Sequence, residues 1–503
     1  MNRILFAADC LDVLNDAEAL PDASIDLIYL DPPFNSNSKY NLPFKGKDKT
    51  HKPVEAFVDI WKWSDRDAET LDDLGRDPRT RSLATVIKFA QTIEQMSGGR
   101  RSGTSLASYL LNMALRLQAM RRVLADTGSI YLHCDPTAGH YLKLLMDAIF
   151  GRKNFISEII YNYGTPSGGR TSGKKPVKTH ENIFTYAKKY GDHVYNRQFT
   201  PYSEKYMTNW FRHVDEKGRK YRTRSRKGKI IRQYLDESPG VPLSDTWIDI
   251  MALYGQSGWF PGTQEKENLG YPTQKPLALL ERIIKASSNE GDIVLDPFCG
   301  CGTTVHAAET LGRKWIGIDI SKFSTGLIRD RILHSFKYLN VDDIDLRGTP
   351  DSVVEARRLA RENPFEFEKW VCGYIGAEGM FREPGERGAD GGVDGVLKFF
   401  PVREGKKVKP EYAIVQVKGG NVSPDAVKAL HETVRRYEAT AGVLVCFGDQ
   451  LGTVENQRVK ATFSDAWGSY PVIQGFSVER LLGDEQLDLP LYGYKRRGAM
   501  LSL

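Results

Sequence analysis

The chain has 503 residues, 41% hydrophobic and 27% charged, with a formal net charge of +6. That length points to two or three domains, each able to bury its own core, and the composition is that of an ordinary globular protein. No apolar run approaches the roughly 18 residues of a membrane span, and MNRILFAADC does not read as a secretory leader. Six scattered cysteines with no CxxC pair indicate neither a disulfide framework nor a zinc site, and a reducing cytoplasm is the expected setting.

In chain order, 25–30 (IDLIYL) reads as a short buried strand running straight into Asp31-Pro32-Pro33-Phe34. Residues 104–125 have helical spacing, with Leu106, Leu110, Leu111, Ala114, Leu117 and Met120 on one side. Gly128 breaks that pattern, 129–134 (SIYLHC) is the next strand, and 139–149 is helical again. From about 155 to 270 periodicity loosens into glycines, prolines, aromatics and basic residues. A dense basic run, KGRKYRTRSRKGKIIR at 217–232, would attract phosphate and gain from counterion release. An amphipathic helix follows at 276–288, with Pro276 near its first turn. IVLDPFCGCGTT then gives strand, glycine turn and helix start, and WIGIDI at 315–320 the following strand. Strands alternating with helices predict a mostly parallel, doubly wound sheet.

The glycine turn is a candidate cofactor site. A strand ends at Asp296, and Phe298, Gly300, Gly302 and Thr303 lead into a helix whose N-terminus favours a negative group. Cys299 and Cys301 read as small packed residues of that loop. Asp319, at the end of the next strand, is placed to bind ribose hydroxyls. A nicotinamide or flavin site could look similar, but the spacing is not GxGxxG and no second dinucleotide half is evident. An S-adenosylmethionine site needs no pyrophosphate grip. In that reading Asp296 lies near the methionine amino group.

The turn at 31–34 is a candidate catalytic site. An aromatic amine is a poor nucleophile because its lone pair is delocalised. Acceptors for its N–H groups favour a pyramidal nitrogen and free that pair. The Asp31 carboxylate and the Pro32 carbonyl could accept these bonds, Pro32 and Pro33 fix the backbone so that both converge, and Phe34 offers a flat face to a base swung out of a duplex.

These stretches, with GSIYLHCDPTAGHYLKLLMDAIFG at 128–151, HENIFTYAK at 180–188 and GYPTQKPLALLERIIKASS at 270–288, resemble the amino-group DNA methyltransferases in which the catalytic motif precedes the cofactor motif. The resemblance covers 1 to about 335. It implies a Rossmann-like S-adenosylmethionine-dependent fold and double-stranded DNA as partner. The target it implies is an adenine or cytosine amino group, with Asp31 leaning toward adenine. The family usually has Ser where this chain has Cys301. The resemblance further implies that a variable region, here about 160–268, chooses the recognition sequence, and that Thr273 and Lys275 line the cofactor pocket. Asp135 would shape the same cleft or cap a structural turn.

A second pattern restarts after a linker at 336–363, with a helix at 364–375, strands near 393–400 and 412–418, a helix at 424–440 and a strong strand at 442–447. Metal-assisted phosphodiester cleavage needs carboxylates for the ion and a lysine near the attacking water, and hard oxygen ligands suit magnesium. Asp394, Gln416 and Lys418 supply such a set, with Glu368 joining Asp394 as a metal ligand and Asp390 a second choice to Asp394. This half, 364–503, resembles the Mrr-like restriction endonucleases, a smaller α/β domain. The whole reads as an adenine-specific modification enzyme with an appended nuclease, acting in restriction or phage defence. Two alternatives stay open: an orphan or cytosine-specific methyltransferase whose tail only binds DNA, and an RNA methyltransferase. A homodimer and a restriction or helicase partner are further expectations to test.

Overall fold

The computed structural model describes residues 3–34, 38–41, 55–59, 61–96, 105–164, 176–226, 228–253, 274–350, 352–375, 377–379, 393–399, 401, 411–423, 425–455, 461–466, 468–483 and 485–490. The first body is built on a nine-stranded sheet. Its strands run, edge to edge, Thr246–Trp247, Phe155–Asn162, His180–Ala187, Leu124–Cys134, Ile25–Leu30, Ile293–Asp296, Lys314–Asp319, Arg3–Ala7 and Asp345–Arg347. Every neighbouring pair is parallel except those made by His180–Ala187, which is antiparallel to both of its neighbours. This has a consequence for the site. The first residues of the reversed strand lie at the same edge as the last residues of the others, so His180 and Glu181 join Leu30, Cys134, Asp296 and Asp319 there.

Central parallel strands are covered on both faces, and their sequences are accordingly near-continuous apolar runs. Helices Asp65–Arg76, Arg81–Met96, Leu106–Val123 and Gly139–Phe150 build one layer. Leu110, Leu111, Ala114, Leu117 and Met120 are buried there as expected, and Ala107, Tyr109 and Met113 are buried as well, because neighbouring helices enclose Leu106–Val123. Each fully buried leucine contributes about 1.5–3 kcal/mol. The other face carries Leu277–Ser287, Thr303–Thr310 and Lys322–Ser335 over Leu27, Tyr29, Tyr131, Tyr161 and Ile183.

Gly128 does not interrupt its strand as the sequence led us to expect: the strand begins at Leu124 and runs through it. A Cβ there would lie 2.7 Å from Leu124 Cδ1 and 2.9 Å from the Asp26 carbonyl oxygen, so the glycine permits a close approach of two strands.

The second body has a five-stranded sheet in the order Glu378–Gly379, Gly395–Phe399, Glu411–Lys418, Ala441–Cys446 and Ile473–Ser477. Helix Pro364–Ile375 packs with one core and Ala426–Arg436 with another. The expected linker, 336–363, is corrected in part. Asp345–Arg347 extends the large sheet along Arg3–Ala7, while Val353–Glu362 buries Ala356 and Ala360 in the second core. Leu346 packs with the first body's core, so the passage between the bodies narrows to the residues around 348–352.

Candidate active sites

Three carboxylates converge at the carboxyl edge of the large sheet because three adjacent parallel strands end there: Ile25–Leu30 before Asp31, Ile293–Asp296 and Lys314–Asp319. Burial pushes the Asp296 carboxyl up to about 7, and the charges of Asp31 and Asp319 add to the shift. Thr304 Oγ1 (2.5 Å) and the Phe298 N–H (3.0 Å) donate to Asp296 and oppose it. Burial likewise pushes Asp319 up to about 6, although it accepts from the Gly300 and Ser321 N–H groups at 2.9 and 2.8 Å. The Gly300 bond ties the glycine turn to the end of the next strand.

That turn runs through Gly300 and Gly302, at φ +50° and +78°, and Thr303 begins the helix Thr303–Thr310. Phe298 is half-buried against the first core. Cys299 and Cys301 are buried free thiols, as are the other four cysteines. Any Cβ at Gly302 would meet Ile328 Cγ2 at 2.7 Å and Cγ1 at 2.8 Å in a left-handed backbone conformation. We therefore expect Gly302→Val to cost about 1–3 kcal/mol of local strain. If the loop shifts to relieve it, S-adenosylmethionine affinity should fall by roughly ten- to a hundredfold. Calorimetric titration that finds unchanged affinity in a folded variant would remove this turn from the binding site.

Asp31 is about one-seventh exposed, at 14%. Its Oδ2 accepts from Lys275 Nζ at 2.6 Å, whereas Oδ1 is buried with no hydrogen-bond partner. Pro32 is buried, Pro33 is half-buried, and the Phe34 ring lies 5.5 Å from Lys275 Nζ and 6.4 Å from the His133 ring. Lys275, assigned by sequence to the cofactor pocket, thus has its ammonium on Asp31. Pro276 caps the helix Leu277–Ser287, whose start brings Lys275 over the strand ends. Thr273 lies outside the described residues. Asp135 accepts from the Thr137 N–H at 2.8 Å and its carbonyl from Gly139 at 3.0 Å, the bonding of a turn cap before Gly139–Phe150.

Sequence reasoning gave no role to Glu181, His133 or Tyr29. His133 Nε2 lies 2.9 Å from Glu181 Oε2, close but poorly aligned for a hydrogen bond, and Nδ1 lies 2.8 Å from the Tyr29 hydroxyl. Lys275 Nζ is 3.8 Å from Glu181. Burial pushes Glu181 up, but the Lys275 charge, the His133 contact and the Lys178 charge outweigh it and hold the carboxyl well below the usual range. The available signal was a histidine and an acid inside otherwise apolar strands, SIYLHC and HENIFTYA.

The basic run folds as an antiparallel hairpin, Lys220–Arg226 with Lys229–Tyr234. Arg222 is buried and donates to the Tyr206 hydroxyl (2.6 Å) and Gln233 Oε1 (3.0 Å), while Arg224, Lys229, Ile230 and Arg232 are exposed. The hairpin lies between His180–Ala187 and Thr246–Trp247 in the chain, within the expected variable region; 165–175, 227 and 254–268 of that region lie outside the described residues.

In the second body Asp394 precedes strand Gly395–Phe399, and its Oδ2 accepts from the Val417 N–H at 2.7 Å. This fixes it beside the strand carrying Gln416 and Lys418, two residues apart and therefore on one face. Gln416 is buried. Burial pushes the Glu368 carboxyl up to about 7, with the Asp394 charge adding and the Lys418 charge opposing. The structure thus brings Glu368, Asp394 and Lys418 together. Among the described residues no three His, Cys, Asp or Glu side chains form a metal cluster; the group offers two carboxylates and Gln416. Asp390 lies outside the described residues.

A doubly wound sheet with an acid-lined carboxyl edge and a glycine turn feeding a helix defines a Rossmann-like α/β fold, a class whose ligands bind beyond the strand ends. The family model described as DNA methylase, covering N6 and N4 enzymes, matches residues 25–328, and the chain belongs to that family. A model described as restriction endonuclease matches 359–455. Type II methyltransferase M.EcaI of Enterobacter cloacae is 28% identical over 270 residues, 45% of this chain and 57% of its own length. M.BamHI of Bacillus amyloliquefaciens is 25% identical over 334 residues, 66% and 57% of the two chains. The chain therefore spans 57% of the length of each. The DNA adenine methyltransferase YhdJ of Escherichia coli K12 is 65% identical over 57 residues, 11% of this chain and 19% of its own. Among solved structures, the M1.HpyAVI–SAM complex aligns with 65% of this chain and 99% of its own at 18% identity and TM-score 0.32. Among the described residues no helix is long and apolar enough to cross a membrane.

Proposed function

We propose that this chain methylates the exocyclic amino group of adenine in double-stranded DNA, using S-adenosylmethionine, and that its second body is a magnesium-dependent endonuclease of a restriction-modification or defence system. The observation that carries the methyl-transfer reading is Asp31 Oδ1, a buried acceptor without a hydrogen-bond partner at the edge where Asp296 and Asp319 also lie. The residues fit the cofactor: Asp296 and Asp319 are buried acids pushed up by desolvation, which a bound ammonium and hydroxyl donors would relieve. When bound, S-adenosylmethionine supplies an electrophilic methyl group on a sulfonium. Asp296 would hold the methionine amino group and Asp319 the ribose, with Gly300 and Gly302 letting the backbone come close.

Asp31 Oδ1 and the Pro32 carbonyl accept the two amino hydrogens, which frees the nitrogen lone pair for the methyl carbon. The nitrogen would give up one proton on methylation, and Asp31 Oδ1 would take it. Phe34 stacks on the extruded base, and the exposed basic hairpin faces the phosphates. Adenine is favoured by Asp31 at the first motif position and by the short stretch shared with YhdJ. In the second body, Glu368 and Asp394 would hold the cation, Gln416 would add an oxygen, and Lys418 would face the scissile phosphate.

The test is mass spectrometry of nucleosides from unmethylated DNA incubated with the purified full chain and cofactor, followed by methylome sequencing. N6-methyladenine in one sequence context is expected. N4-methylcytosine would replace adenine by cytosine as target, and methylation of RNA in preference to duplex DNA would overturn the reading.

A further inference from the structure

The prolines of the catalytic turn fix its backbone, yet they leave the last torsion of Asp31 free, and for Asp that torsion is soft. A carboxylate that rotates would present its acceptor to the target amine only part of the time. Lys275 removes this freedom: its ammonium sits 2.6 Å from Asp31 Oδ2, and the other oxygen is the one with no hydrogen-bond partner.

We propose that Lys275 is a positioning residue for methyl transfer, clamping Asp31 through Oδ2 so that Oδ1 faces the target amine, and that Glu181, His133 and Tyr29 are the buried support that holds the clamp. This rests on the reading of Asp31 as the acceptor of the amino hydrogen.

The support is layered. An ammonium 12% exposed is expensive to desolvate, and Glu181, 3.8 Å away, adds its charge to that of Asp31. Lys178 lies 3.5 Å from Glu181 and also 3.5 Å from Asp135, so the group extends to two cations and three carboxylates. Glu181 lies in turn 2.9 Å from Nε2 of His133, whose side chain is fully buried. With its proton on Nε2, His133 faces Glu181 and accepts at Nδ1 from Tyr29, whose buried phenol is pushed well up and stays a donor. The reversed strand makes this possible. It carries Glu181 to the edge where Asp31 emerges, and His133 pairs with Ile183, two residues further along. The Phe34 ring lies against both Lys275 and His133, so the surface offered to the base rests on the same group.

The experiment compares Lys275→Met, Lys275→Arg, Glu181→Gln and Asp31→Asn in the full chain. It reads single-turnover methylation rate, cofactor and DNA affinity, and thermal melting. Lys275→Met should lower the rate by roughly a hundredfold, the cost of a misplaced reacting group, with cofactor and DNA affinity nearly unchanged. Lys275→Arg should recover much of the rate, and Glu181→Gln should show the same pattern more weakly. In the Asp31→Asn background Lys275→Met should cost nothing more, because the two act as one unit. A loss of cofactor affinity at unchanged rate would assign Lys275 to the cofactor pocket instead and overturn the clamp, as would full additivity with Asp31→Asn. Should Lys275→Met fail to fold, a folded Glu181→Gln at the parent rate overturns the proposal, and a slowed one with parent affinities supports it. A fully active Asp31→Asn would sink the underlying reading, whereas an inactive Asp31→Asn beside a fully active Lys275→Met sinks the clamp alone.

Discussion

Asp31→Ala should abolish detectable methyl transfer, a loss of roughly 10²–10³-fold or more, while S-adenosylmethionine binds almost as before. The reason is directional. Asp296 and Asp319 are held by bonds from Phe298, Thr304, Gly300 and Ser321, none of which involves Asp31. Removing Asp31 also takes from Lys275 its 2.6 Å partner. The variant should therefore melt somewhat lower. A rate measured with saturating cofactor, beside a cofactor titration, distinguishes the two effects. Full transfer by the purified variant would show that the amine is activated elsewhere.

The parts that could be read from the sequence were those governed by local rules. Apolar strands ending in acids, IDLIYL-D and IVL-D, and a glycine turn before a helix announce an acid-lined sheet edge. The structure places Asp31, Asp296 and Asp319 together there. The Asp31–Lys275 pair could not be read in this way, because its members are 244 positions apart and meet only through the sheet order. His133 and Glu181 were hidden for a similar reason. Each looks like an isolated polar residue in a strand until the antiparallel register sets His133 against Ile183. The linker was misjudged because a three-residue edge strand carries almost no periodic signal. Its place is decided by pairing with Arg3–Ala7, more than 300 residues earlier in the sequence.

Lys418→Ala should remove magnesium-dependent cleavage and leave methylation unchanged, which is the sharpest expected separation of the two bodies. Lys418 stands at the end of strand Glu411–Lys418, in a sheet that shares no strand with the one carrying Asp31. The Glu368 carboxyl is pushed up to about 7 by burial and by the Asp394 charge, a shift that a bound cation would relieve. Lys418 is the positive charge that opposes that shift, and a phosphate entering beside a bound ion would meet it next. The assay is nicking or linearisation of plasmid DNA, unmethylated and premethylated, with magnesium or with chelator. The parent should cleave with magnesium and the variant should not, while both transfer methyl groups at the same rate. Cleavage that survives in Lys418→Ala would place the nuclease site elsewhere. A parent that binds both plasmids and cuts neither would make the second body a DNA-binding module, leaving the methyltransferase reading intact.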